Sequence, residues 1–197
     1  MPLTKEEFLA SDDAARIKKS LTLAAEYTTS PDTPGKAPVL GVNFRISVLD
    51  ALQASWDTFK VATKFGVAIH APFDPLTWLE IGVDGISAVR SFVSALVEQM
   101  EPIDYVTYVI LAQTPDGIEA SELKKSIEVF LKDSQTGNFS WHLGMSGERV
   151  ERARERLLDE NWFDDTIRSL TSNNMMKRSG TVLQYQSRNF TVGLEGR

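Results

Sequence analysis

The chain has 197 residues, of which 42% are hydrophobic and 24% are charged, a composition typical of a soluble globular protein. It contains no cysteine, which excludes disulfides and thiolate metal sites. The net charge is −6 and divides evenly, since residues 1–100 and residues 101–197 each carry −3. Phosphate contacts supply most non-specific affinity for nucleic acid, so a chain this acidic needs a local basic face to bind DNA well.

Residues 1–38 are predicted to form an N-terminal arm followed by a linker. Thr4 and Glu7 fit a capping box at the start of a short amphipathic helix. Residues 28–38 contain three prolines and a glycine, which is the composition of a linker. The first residues include acids where a signal peptide has a basic segment, and we therefore expect a cytoplasmic protein.

Residues 39–100 form the most apolar part of the chain and are predicted to be helical. Helical spacing of apolar residues predicts one helix over residues 46–64. A second helix has a seam whose members step by three and four residues: Ile86, Val89, Val93, Leu96 and Met100. The seam is either the core of a helical region or an interface, and its width favours a homodimer or burial in a larger complex. Charged residues interrupt this region too often for a membrane span.

Residues 101–197 contain signals for three helices and a β-hairpin. The predicted helices are Glu101–Gln113, Ser121–Lys132 and Ser146–Asn161, and the predicted hairpin is Thr181–Gly193. Ser146 is the expected N-cap of the third helix. The stretch 164–180 is long for a connection, and a further helix beginning at Asp164 or Asp165 is an open alternative.

The order of three helices and a hairpin resembles a winged helix-turn-helix module. In such a module the third helix faces the ligand, and the fold is used for DNA binding and for protein–protein contacts. The resemblance implies a mainly α fold class with a small β-hairpin, in which a helical N-terminal region precedes a C-terminal winged-helix domain. It covers residues 101–197 and indicates no particular family.

Arginines share one face of the third predicted helix at positions i, i+3 and i+7. A winged helix that binds DNA presents guanidinium groups there to phosphates and guanine edges. With the basic residues near the predicted wing, the candidate DNA-binding residues are Arg149, Arg152, Arg156, Lys177, Arg178 and Arg188. The alternative is a solvated helix whose arginines pair with Glu148 and Glu151 along its own surface.

The sequence gives little support for catalysis. His70 and His142 are the only histidines, and neither has the spacing of a metal ligand. We therefore predict a non-enzymatic protein with no metal or cofactor, and two functions stay open. One is a DNA-binding transcription regulator that dimerises through residues 39–100. The other is a protein-interaction subunit of a larger assembly that uses the winged helix as a scaffold, which the −3 charge of the second half favours.

Overall fold

The computed structural model describes residues 5–28, 41–64, 92–133, 145–186 and 189–195. The fold is mainly α with small antiparallel sheets, which confirms the predicted fold class. The first half contains α1 (Lys5–Leu9), α2 (Asp12–Ala24), β1 (Ala25–Thr28), β2 (Gly41–Ser47), α3 (Val48–Lys64) and α4 (residues 92–99). The second half contains α5 (Pro102–Leu111), β3 (Ile118–Glu119), α6 (Ala120–Lys132), α7 (Gly147–Arg156), α8 (Trp162–Ser172), β4 (Met176–Ser179), β5 (Val182–Tyr185) and β6 (Asn189–Glu195).

Helix α5 is the centre of the hydrophobic core, because every one of its residues is buried. Pro102 begins the helix, where its missing N–H would have had no helical partner in any case. The same core includes Phe8, Ile17 and Leu52 from α1, α2 and α3, all fully buried. The N-terminal helices therefore share one core with the second half of the chain.

Two polar and aromatic contacts fix α3 against the second half. The Gln53 side-chain amide donates a hydrogen bond of 2.9 Å to the carbonyl oxygen of Ala112, just past the end of α5. The rings of Trp56 and Phe130 lie with their centroids 5.3 Å apart, which joins α3 to α6. These contacts place α3 over both α5 and α6.

The described part of the chain contains two three-stranded antiparallel sheets. The first has the order β1-β2-β6, and β6 pairs with β2 along seven residues, from Gly41 opposite Glu195 to Ser47 opposite Asn189. The second has the order β3-β5-β4. The strands β5 and β6 follow each other in sequence but belong to different sheets.

The predicted hairpin over Thr181–Gly193 is wrong for this reason. The strand β5 forms its hairpin with β4, with Ser179 opposite Val182, and β6 leaves to pair with β2. The tight turn of the observed hairpin contains Gly180 at φ +63°, a left-handed conformation that glycine adopts without steric cost. Ser187 and Arg188, between β5 and β6, lie outside the described residues.

The predicted helices agree with the structure for α5 and α6 and differ for the third. The prediction of one helix over Ser146–Asn161 is too long, because α7 ends at Arg156 and α8 begins at Trp162. The structure contains the further helix that the sequence left open, but it begins at Trp162 and not at Asp164 or Asp165, and buried Trp162 anchors it. The residues described between α6 and the hairpin of β4 and β5 therefore include two helices, α7 and α8.

The described part of the apolar seam lies in the core. Val93 and Leu96 on α4 are only 5% and 7% exposed, and Met100 is half-buried against the same cluster. Ile86 and Val89 lie outside the described residues. Self-association through this seam stays a prediction, but Val93 and Leu96 do not supply the exposed apolar strip on which it was based.

Replacing Gly117 by alanine tests the close packing of the turn before β3 against β5. Gly117 has φ +123°, and a Cβ atom there would lie 2.8 Å from Cγ1 of Val182 and 3.1 Å from Cγ of Gln184. We expect Gly117→Ala to lower the free energy of unfolding by roughly 1–3 kcal/mol, measured by urea denaturation. Gly147→Ala is the matched control, since a Cβ atom at Gly147 meets nothing within 4 Å. Equal stability of the two variants would contradict this account.

Candidate macromolecule-binding surface

Helix α7 carries the arginines that the sequence assigns to a binding face. Its N-cap is Ser146, as predicted, and the Ser146 hydroxyl accepts a hydrogen bond of 3.3 Å from the backbone N–H of Arg149. Only Val150 and Ala153 of this helix are buried. Most of the remaining side chains are glutamates and arginines, so the function of α7 depends on where those charges point.

Arg149 points into the protein, where it caps another helix. One of its terminal nitrogens donates hydrogen bonds of 2.5 Å to the carbonyl oxygens of Val97 and Met100. The last carbonyls of a helix lack helical partners, and a cation near them also interacts favourably with the helix dipole. Arg149 therefore stabilises the C-terminal end of α4, and its guanidinium group is engaged away from any DNA phosphate.

Arg154 caps a second helix in the same way, although the sequence did not single it out as a candidate. Its Nε donates a hydrogen bond of 2.6 Å to the carbonyl oxygen of Leu131, and Nη2 donates one of 2.8 Å to that of Asp133. Both carbonyls lie at the C-terminal end of α6. Helix α7 thus joins the ends of α4 and α6 through two arginines on its inner side.

The other two arginines of α7 pair with carboxylates on the surface. Arg152 bonds Glu148 at 2.5 Å, and Arg154 also bonds Glu151 at 2.5 Å, which are the two pairs expected within a solvated helix. Arg156 contacts Asp159 and lies 2.9 Å from the carboxylate of Asp165 on α8. Exposed pairs of this kind contribute little stability, about 0–1 kcal/mol each, but they neutralise the face.

The outer surface of α7 has mixed charge as a result. Residues 102–186 contain 10 basic and 13 acidic side chains, so this part of the chain carries −3. Each of the four arginines of α7 has a partner within the chain. Arg149 and Arg154 bond backbone carbonyls, and Arg152 and Arg156 bond carboxylates. The described structure therefore places no continuous positive patch over this helix.

The hairpin of β4 and β5 differs from α7 because it carries exposed cations without ion-pair partners among the described residues. Lys177 and Arg178 are exposed on β4, and neither forms an ion pair with the residues that the structure describes. The Nε of Arg178 donates a hydrogen bond of 3.0 Å to the carbonyl oxygen of Gly180, which directs the side chain along the turn. Of the described sequence-predicted candidates, these two are the exposed ones without anionic partners, and Arg188 lies outside the described residues.

A buried carboxyl group lies behind the outer face, on α5. Asp104 is 7% exposed, and its Oδ2 accepts a hydrogen bond of 2.6 Å from the hydroxyl of Ser169 on α8. Burial raises the pKa of the Asp104 carboxyl above its ordinary value, while hydrogen bonds from Ser169 and Thr166 oppose that rise. The sequence gave no sign of this group, since a single aspartate in an apolar helix resembles any surface acid.

Metal and membrane sites have no support in the described ranges. They contain no cluster of three or more histidine, aspartate or glutamate side chains that could hold a metal ion. None of the helices described there combines the length and the apolar character that crossing a membrane requires. His70 and His142 lie outside these ranges, so the structure does not describe their surroundings.

Comparison with known proteins gives no assignment, because no protein-family model, curated protein or solved structure matches this chain. The features that bear on the class of the protein are its helical scaffold, the mixed-charge face of α7 and a hairpin with two exposed cations.

The capping role of Arg149 predicts a loss of stability when its guanidinium is removed. Arg149→Met keeps an apolar stem but leaves the carbonyls of Val97 and Met100 without their donor. We expect the free energy of unfolding to fall by about 1.5–3 kcal/mol, measured by urea denaturation. Arg168→Met is the control, because exposed Arg168 bonds only the Asp165 carboxylate and should change stability by less than about 0.5 kcal/mol. An equal effect of both changes would rule out the capping role.

The raised pKa of Asp104 predicts that the variant Asp104→Asn becomes more stable, relative to the native protein, as pH rises. In the native state this carboxyl keeps its proton to higher pH than in the unfolded state, so its contribution to stability is lost as pH rises above about 4. Asparagine does not titrate. We therefore expect the Tm of Asp104→Asn to rise relative to that of the native protein between pH 4 and 7, measured by scanning calorimetry. A Tm difference that stays constant with pH would contradict this prediction.

Proposed function

We propose that residues 102–186 form a winged helix-turn-helix module and that the protein is a non-enzymatic interaction subunit, located in the cytoplasm. The order α5-β3-α6-α7-α8-β4-β5 supports this proposal, since it combines packed helices with a closing hairpin. The pairing of β3 with β5 also supports it, because it ties the hairpin to the turn between α5 and α6. In this module the helix directly before the hairpin is α8.

The internal pairing of the α7 arginines is the observation that favours a protein partner. DNA binding gains its affinity when free cations replace counterions on phosphates. Arg149 and Arg154 hold backbone carbonyls, and Arg156 bonds two carboxylates, which leaves Arg152, in an exposed pair with Glu148, for that exchange. A surface of mixed sign suits the polar rim of a protein–protein interface.

An exposed leucine supplies an apolar contact beside this mixed surface. Leu158 lies two residues after the end of α7 and is 85% exposed, the highest value among the large apolar side chains described. Its charged neighbours in sequence are Glu155, Arg156, Asp159 and Glu160. We place the centre of the partner-binding surface at Leu158, with these charged residues as its rim.

The partner-binding surface can be tested by affinity purification of the tagged full chain from its native host. We expect a stoichiometric protein partner that is recovered without nucleic acid. Leu158→Asp should reduce its recovery at least about tenfold, which corresponds to roughly 1.4 kcal/mol. Val129→Asp is the control, because Val129 is 62% exposed on a different helix. Equal recovery with both variants, or recovery abolished by nuclease, would refute this surface.

A second candidate function, a DNA-binding regulator, is favoured by the cations of the hairpin. Lys177 and Arg178 lie on the element that forms the wing in the proposed module, and both are exposed. Groups in this position contact the phosphate backbone and orient a protein on DNA without reading bases. A homodimer through residues 39–100, as predicted from the sequence, belongs to this second candidate.

The DNA candidate predicts a specific salt dependence. Fluorescence anisotropy with a mixed-sequence duplex at low salt measures the affinity and its change with salt concentration. Replacing Lys177 and Arg178 with alanine should lower the slope of log K against log salt by about 2 units, because two phosphate contacts are lost. Lys125→Ala with Lys132→Ala is the control, since both lysines lie on α6. Absence of binding at low salt would exclude this function.

A further inference from the structure

A pocket of about 410 Å³ opens between the beginning of α5, the outer half of α7 and the middle of α8. Its volume lies within the range of small-molecule sites in proteins, roughly 300–1,000 Å³. The charged and hydroxyl groups that line it include Glu101, Asp104, Arg152, Arg156, Asp165 and Ser169. The pocket shares Arg152 and Arg156 with the α7 face, but neither proposed function assigns it a ligand.

The α5 side of the pocket is acidic. Glu101 and Asp104 form no ion pair within the described residues, whereas Asp165 bonds both Arg156 and Arg168. Burial is the main cause of the raised pKa of Asp104, the charge of Glu101 adds to that rise, and the charge of Arg156 opposes it. A buried carboxyl with a raised pKa that lines a pocket is a candidate for a functional group. The α5 side of the pocket therefore suits a cationic group that can donate hydrogen bonds.

The α7 side of the pocket has a guanidinium group, that of Arg152, in a weak and exposed ion pair. Arg152 bonds only Glu148 among the described residues, and the two side chains are 60% and 73% exposed. Such an exposed pair is weak, so an anion in the pocket can replace Glu148 with little loss. Arginine binds a carboxylate through two parallel hydrogen bonds, which gives a preference for that group.

We propose that this pocket binds a small zwitterion, a free amino acid, with its ammonium group between Glu101 and Asp104 and its carboxylate on Arg152. The hydroxyl of Ser169, already bonded to Asp104, holds that carboxyl in place to accept from the ammonium. The bound molecule contacts α5, α7 and α8 together. The pocket is formed by the chain alone, and it shares Arg152 and Arg156 with the α7 face on which the protein partner is proposed to bind.

Isothermal titration calorimetry of the full chain with each standard amino acid tests the site. We expect at least one amino acid to bind. Its N-acetyl derivative, which lacks the ammonium, and its amide, which lacks the carboxylate, should each bind at least about tenfold more weakly. Failure of every amino acid to bind at millimolar concentration would overturn the proposal, as would equal binding of the blocked derivatives.

Substitutions on the α5 side and the α7 side of the pocket test where the amino acid binds. Glu101→Gln and Arg152→Ala should each weaken binding at least about tenfold, and both residues are exposed, so the variants retain the fold. Asp164→Asn and Lys125→Ala are the controls, since each removes a charge of the same sign at an exposed position outside the pocket. Unchanged binding in both pocket variants would show that the amino acid binds elsewhere and would overturn the assignment.

Discussion

The attachment of α7 depends on charge-assisted hydrogen bonds, and the arrangement of the surrounding helices depends on α7. Two of its arginines donate to the terminal carbonyls of α4 and α6, groups that a helix cannot satisfy by itself. Only Val150 and Ala153 of the helix are buried, so apolar burial contributes little to holding it. Hydrogen bonds from a charged donor are stronger than neutral ones, which explains how so polar a helix keeps a fixed position.

This use of arginine separates the two surfaces of the proposed module. Ion pairs with carboxylates balance the charge of the outer arginines on the α7 face, whereas the hairpin keeps two cations that face solvent. A protein partner suits the first surface, and a phosphate backbone suits the second. The two candidate functions therefore belong to different faces of one scaffold.

The sequence predicted what depends on neighbours along the chain and missed what depends on distant ones. Helical spacing and Pro102 located α5, and Ser146 located the start of α7, because caps and periodicity are local. The pairing of β6 with β2 and the bonds from Arg149 to carbonyls 49 and 52 residues away are set by tertiary packing. The same holds for the pocket, whose lining comes from three separate helices. The ion pairs within α7 could be predicted from the sequence, because its glutamates and arginines lie three and four residues apart.

The path of β6 has a consequence for dissecting the molecule into fragments. This strand ends the described part of the second half, yet its hydrogen-bonding partner is β2, which precedes α3. A fragment cut between α4 and α5 would contain a seven-residue strand without its neighbour, and such open edges promote association with other chains. Expression of the two halves as separate polypeptides therefore divides a sheet, and co-expression of both would be required to restore it.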